Sequence, residues 1–119
     1  MPIPDLESIM LPMLKFLGDQ KNHTMKDVEQ NLSTFFGLTA DEIKQQKPSG
    51  GESLFHNRLH WSKFYLGKAQ LIDGKPRKPF RITERGLGVL KKNPAKIDTN
   101  YLMKFDEFSV FIKTKREKS

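Results

Sequence analysis

Residues 53–85 read SLFHNRLHWSKFYLGKAQLIDGKPRKPFRITER, and the hydrophobic period changes halfway along. From Ser53, the residues Leu54, Phe55, Leu59, Ser62, Leu66 and Ala69 recur at helical spacing, with Arg58 and Tyr65 at the borders of that face. The spacing predicts a helix of about four turns. Leu71-Ile72 and Phe80-Arg-Ile82 are short apolar runs on either side of Asp73-Gly-Lys-Pro-Arg-Lys-Pro79. The Asp-Gly pair and the two prolines demand a turn, so two strands and a hairpin are expected. Charge gathers on the same unit: between Trp61 and Lys92 nine basic residues stand against two acids, a net +7. Residues 1–60 carry six basic and eight acidic residues and 93–119 carry six and four, so the flanks are −2 and +2 and cancel. A solvated surface needs mixed charge but not this polarity, whereas a groove of phosphates does.

Working outward, Leu6, Ile9, Met10, Met13, Leu14 and Leu17 predict a first helix, opened by Pro4-Asp5 and closed by Gly18-Asp19. Pro12 lies inside it and removes one backbone donor, which predicts a kink or a late start. Thr24 reads as the N-cap of a second helix with Met25, Val28, Leu32, Phe35 and Phe36 as its buried stripe, ending at Gly37. Thr39 and Glu42 have the spacing of a capping box over a short surface helix, which Lys47-Pro-Ser-Gly-Gly51 breaks. Beyond the hairpin, Thr83 caps a helix carrying Leu87, Val89 and Leu90 that Asn93-Pro94 stops. Asp98 caps a last helical segment with Tyr101, Leu102, Phe105, Phe108, Phe111 and Ile112, read as core up to Phe105 and as an interaction surface from Phe108 to Ile112.

The fold class expected is mainly α with a small β-hairpin, a winged helix-turn-helix: a three-helix core, a two- or three-stranded wing and additional C-terminal helices. Residues 1–112 form one domain, and 113–119 read as a disordered basic tail or linker stump. The apolar runs fall short of the roughly 18 residues that span a bilayer, and the opening Met-Pro-Ile-Pro-Asp5 lacks the basic region of a signal peptide. A cytoplasmic chain with no membrane partner is expected. The absence of cysteine excludes disulfides, thiolate catalysis and zinc ribbons.

The opening Met-Pro-Ile-Pro-Asp5, Leu11-Pro12, Phe36-Gly-Leu-Thr39, Pro48-Ser-Gly50, Asn57-Arg58, Trp61, Leu66, Ala69, Arg81-Ile-Thr-Glu-Arg-Gly86 and Asn93-Pro94 follow one another in an order and spacing that resemble the N-terminal domain of Mrr-type restriction endonucleases. The resemblance runs from Met1 to about Phe108. It implies a winged helix that binds DNA and that, in the family, precedes a separate metal-dependent nuclease domain acting on methylated DNA. That catalytic domain has no counterpart in these residues, so the resemblance implies binding here and cleavage only for a longer parent. Gly67-Lys68-Ala69-Gln70 departs from the family pattern, which often carries Ala-Gly before the first strand.

On the 53–69 helix, His56, Asn57, His60, Lys63 and Phe64 are expected to face outward, with Ser53 at the N-terminal end. A major groove admits such a helix and presents base edges to polar side chains. Asn57 and His60 are the base-edge candidates and Lys63 a phosphate candidate. Arg58 either meets a phosphate or pairs with an acid such as Asp27 or Asp41. Lys75, Arg77, Lys78 and Arg81 lie on or beside the proline-stiffened turn, where they can meet the backbone or the minor groove. Trp61 and Tyr65 are read as core or core edge.

Catalytic and metal chemistry find little support. His56 and His60 have the spacing of zinc ligands, but Asn57 stands at the acid position of His-Glu-x-x-His and the other histidine is the distant His23. Glu42-Ile-Lys44 and Asp73-Gly-Lys75 match the acid-x-Lys letters of metal-dependent nucleases, but the first falls on a helix and the second at a turn tip. The chain is therefore expected to be no enzyme and to need no cofactor, with double-stranded DNA, methylated or not, as partner. A downstream nuclease domain and a homodimer are the other partners considered. Two rival functions stay open: a protein-protein docking winged helix and a stand-alone transcriptional regulator.

Overall fold

Six helices begin at polar caps that the sequence places there. The structure, a computed structural model, describes residues 3–46, 50–74 and 78–118, with side chains as far as Lys115. Helix α1 (Leu6–Phe16) starts where the Asp5 carboxylate accepts from Ser8 N, and a 3₁₀ turn (Leu17–Asp19) closes it. The start is immediate, not delayed by Pro12, whose missing N–H removes a single bond within the helix. Ile9, Met10, Met13 and Leu14 are fully buried, so α1 is the axis about which the other elements pack. Helix α2 (Met25–Phe35) opens on a reciprocal capping box between Thr24 and Asp27, and α3 (Ala40–Lys44) on another between Thr39 and Glu42. Phe35 departs from the expected stripe and is 66% exposed. It lies next to Phe36, the two rings meeting edge-on, and only Phe36 turns toward the core.

Helix α4 (Leu54–Lys68) is the long helix read from residues 53–69 and crosses α1. Phe55, Leu59, Ser62, Leu66 and Ala69 are its buried face, as the periodicity predicts. Two strands follow, β1 (Ile72–Asp73) and β2 (Arg81–Ile82), antiparallel with Ile72 opposite Ile82 and Asp73 opposite Arg81. One extended residue between α1 and α2 joins this hairpin: His23 N donates to Phe80 O and Phe80 N to His23 O, each at 2.9 Å. Helix α5 (Glu84–Lys91) is capped by the Thr83 hydroxyl, which accepts from Gly86 N and itself donates to Gln70 O. Gly86 has no room for a side chain, because a Cβ there would run into the Leu71 carbonyl and the Ile82 side chain. That close approach seats α5 on the hairpin.

The C-terminal segment differs from expectation in three ways. It is two helices, α6 (Thr99–Leu102) and α7 (Asp106–Lys118), separated by a turn in which Phe105 N donates to Leu102 O. Phe108 and Ile112 are buried, so the surface expected from Phe108 to Ile112 is largely core, with Val110 the exposed exception. The reason is that α7 packs on α4, with Phe108 5.6 Å from the Tyr65 ring. Lys113 to Lys118, expected as a disordered tail, continue α7. No described helix is long and apolar enough to cross a membrane.

Candidate nucleic-acid interface

Helix α4 is held on two sides and open on a third. At its start the Ser53 hydroxyl accepts from His56 N at 3.0 Å, fixing the first turn. On the α1 side the Ser62 hydroxyl lies 2.9 Å from both Leu6 O and Arg58 O, and can donate to one at a time. Arg58 Nη1 donates to Ile3 O at 2.8 Å and Pro4 O at 3.0 Å. Arg58 thus meets neither of the acids considered, Asp27 or Asp41. Its guanidinium ties the N-terminal segment to α4, because two carbonyl oxygens left bare at the entry to α1 need a donor.

On the opposite flank α7 lies along the helix. Phe111 packs against Phe64 at 5.4 Å and Tyr65 at 6.1 Å, and Lys115 Nζ reaches the Tyr65 hydroxyl at 3.5 Å. Trp61, read as core or core edge, is 43% exposed and stands edge-on to Phe64 and Tyr65. The strip bearing Ser53, His56, Asn57, His60, Lys63, Phe64 and Gly67 is the less covered one, with His60, Phe64 and Gly67 exposed and the other four half-buried. The outward set from the sequence therefore shares one face, and it faces away from α1.

The members of that strip are not independent. Asn57 donates its amide to the Glu52 carboxylate. His56 and His60 face one another one turn apart, with Nε2 atoms at 2.9 Å, and His56 Nδ1 lies 3.7 Å from Glu29 Oε1 on α2. Burial, and secondarily the neighbouring His56, holds the His60 imidazole below its ordinary pKa. Lys63 lies with its ammonium 4.6 Å from the centre of the Phe80 ring, and burial lowers its pKa. Lys63 therefore joins the helix to the hairpin as well as adding charge. Lys78 and Arg81 are exposed beside the turn, while Lys75 and Arg77 lie outside the described residues.

Between the C-terminal half of α4 and the hairpin runs a groove of about 830 Å³ that the sequence reading missed. His60, Lys63, Phe64 and Gly67 form one wall and Ile72 and Asp73 the other. Its one sequence signal is Gly67, a residue without a side chain on an outward face. Arg85 was counted with the basic stretch, yet it is engaged within the chain. Its Nη1 lies 2.7 Å from Glu107 Oε1 and donates to Ala69 O at 3.1 Å. The Glu107 carboxylate raises the Arg85 pKa, and Arg85 lowers that of Glu107. Lys68 likewise lies over the rings of Phe64 and Phe111. Of the remaining described cations in this stretch, Lys78 and Arg81 are exposed on the hairpin and Lys91 and Lys92 at the end of α5.

The acid-x-Lys letters do not assemble a nuclease centre in the described residues. Glu42 caps α3 by accepting from Thr39 N at 2.8 Å. Among the described residues no three His, Cys, Asp or Glu side chains gather as metal ligands.

A mainly helical domain with a small antiparallel hairpin, its longest helix open along one side, is the class that fold and site define. The chain belongs to the Mrr N-terminal domain family, whose model matches residues 7–92. This is the family that the residue pattern resembled. No curated protein and no solved structure gives a match.

Proposed function

We propose that this domain is a winged helix that binds duplex DNA as the target-recognition part of a restriction system. In this reading α1, α2 and α4 are the three-helix core, and α4 is the recognition helix lying in the major groove. The hairpin of β1 and β2 is the wing, and His23 opposite Phe80 supplies the third strand position of a winged helix. Asn57 and His60 meet base edges, Ser53 and the first turn of α4 sit against a phosphate, and Lys63, Lys78 and Arg81 with Lys75 and Arg77 neutralise phosphates on the adjacent backbone or minor groove. The domain binds and does not cut; in the resembled family cleavage is the work of a separate nuclease domain.

The observation that carries the reading is that α4, packed by α1, α2, α3 and α7, keeps His60, Phe64 and Gly67 exposed beside the hairpin that bears the exposed Lys78 and Arg81. Family membership supports it. The test is binding to a fluorescent duplex, methylated and unmethylated, over a salt series from about 50 to 200 mM. Steep salt dependence is expected, and a methylation preference would assign target sensing to this domain. Absence of binding at the lowest salt would overturn the reading.

A second reading, a docking or dimerisation module, draws on the exposed Trp61, Phe64 and Val110 beside α7. It predicts concentration-dependent association in sedimentation experiments. A stand-alone regulator would share the DNA chemistry and differ only in what the longer reading frame encodes.

A further inference from the structure

We propose that His56 and His60 form a chelating site for a divalent transition-metal ion on the open face of α4, with Glu29 as its outer carboxylate. Spacing along the sequence says only that the two rings share a face. The structure adds that their Nε2 atoms converge to 2.9 Å. An ion holding two imidazoles at about 2.0–2.1 Å sets their nitrogens about 2.9–3.4 Å apart when the angle between the bonds is about 90–109°. The pair therefore needs little rearrangement to admit an ion. Without one, the same two atoms share a proton, so at least one ring is neutral with its lone pair aimed into the gap.

The second nitrogen of His56 has a carboxylate nearby. His56 Nδ1 lies 3.7 Å from Glu29 Oε1, beyond hydrogen-bond reach but close enough for the carboxylate to take up a carboxylate-histidine arrangement once an ion is bound. Two protein nitrogens leave the other coordination positions to water or to an anion. Such a chelate selects copper, nickel or zinc over harder ions such as magnesium. None of this depends on DNA binding.

The test is calorimetric titration of the whole chain with zinc chloride alone, and with nickel chloride alone, at pH near 7.5 in a non-coordinating buffer. One ion per chain is expected. His56→Ala and His60→Ala should each weaken it at least tenfold, and Glu29→Gln by about tenfold. Lowering the pH through the histidine range should abolish it as protons displace the ion. The ring resonances of His56 and His60, but not those of His23, should move on addition of zinc to the wild type, a readout that needs no variant. Wild-type affinity within threefold of His60→Ala, or ring resonances unmoved by either ion, would overturn the proposal and leave a proton-sharing pair. Loss of duplex binding with the ion still bound would count against the DNA reading alone.

Discussion

Arg58 and Arg85 carry the same charge as Lys78 and Arg81 but end on oxygen atoms of their own chain. Charge counting registers all four equally, and only three-dimensional placement separates them. Arg58→Ala should lower stability by about 1–2 kcal/mol in urea unfolding, since two carbonyls at the entry to α1 lose a charged donor. Duplex affinity at low salt should stay within about threefold of wild type, and a larger fall would return Arg58 to the interface. Gln70 is a second residue whose role is conformational. It holds φ at 61°, a left-handed value, within the Gly67-Lys68-Ala69-Gln70 stretch that departs from the family pattern. Gln70→Gly should therefore stabilise the chain by about 0.5–1 kcal/mol in the same assay, the relief of strain exceeding the added freedom of the unfolded chain. The sequence departure was legible; that it falls on a left-handed residue was not, because the end of α4 had first to be located.

Helices and strands were easier to read than their endings. The caps at Thr24, Thr39, Thr83 and Asp98 were visible because short polar side chains bond backbone donors locally, without help from distant residues. The break between α6 and α7 was invisible because Tyr101, Leu102, Phe105 and Phe108 keep a helical period straight across it. The burial of Phe108 and Ile112 was missed for a related reason: it depends on α7 lying against α4, and periodicity alone names no partner. Glycines test this level well. Gly86→Ala should destabilise by about 1–3 kcal/mol, because a methyl group there must push α5 off the hairpin. Gly67→Ala, with open space around its would-be Cβ, should stabilise α4 by about 0.5–1 kcal/mol. Thermal melts of the pair should shift in opposite directions, and equal shifts would contradict the seating of α5 described above.

For the whole molecule the informative variables are salt and pH. Neutralising one phosphate each, Lys75, Arg77, Lys78 and Arg81 contribute about −3.6 to the log-log salt slope, and the triple charge reversal Lys75→Glu, Arg77→Glu, Lys78→Glu should flatten it by about 2.7. An unchanged slope would remove the hairpin from the interface. Stability should be greatest above the ordinary carboxylate range and fall in acid. Asp5, Asp19, Asp27 and Asp98 have lowered pKa values, foremost because backbone N–H groups donate to them, and Glu107 because Arg85 does. A depressed carboxylate favours the folded chain at pH above its unfolded value, and that advantage disappears as pH drops through the folded value. Urea midpoints should hold from about pH 7 to 5 and decline below about 4. The overall order of elements was legible in the sequence. The groove beside Gly67 was not, since it arises only where α4 and the hairpin meet. One further consequence follows from where the ends of this fold are tied. Ile3, Pro4 and Leu6 are bonded by Arg58 and Ser62, Glu7 accepts from Thr99 N, and the strand partner of His23 is Phe80. Within this domain α1 is made before α4, the helix that crosses it, so its oily faces await residues 54–68, and nascent chains stalled before Ser53 should remain sensitive to protease along α1.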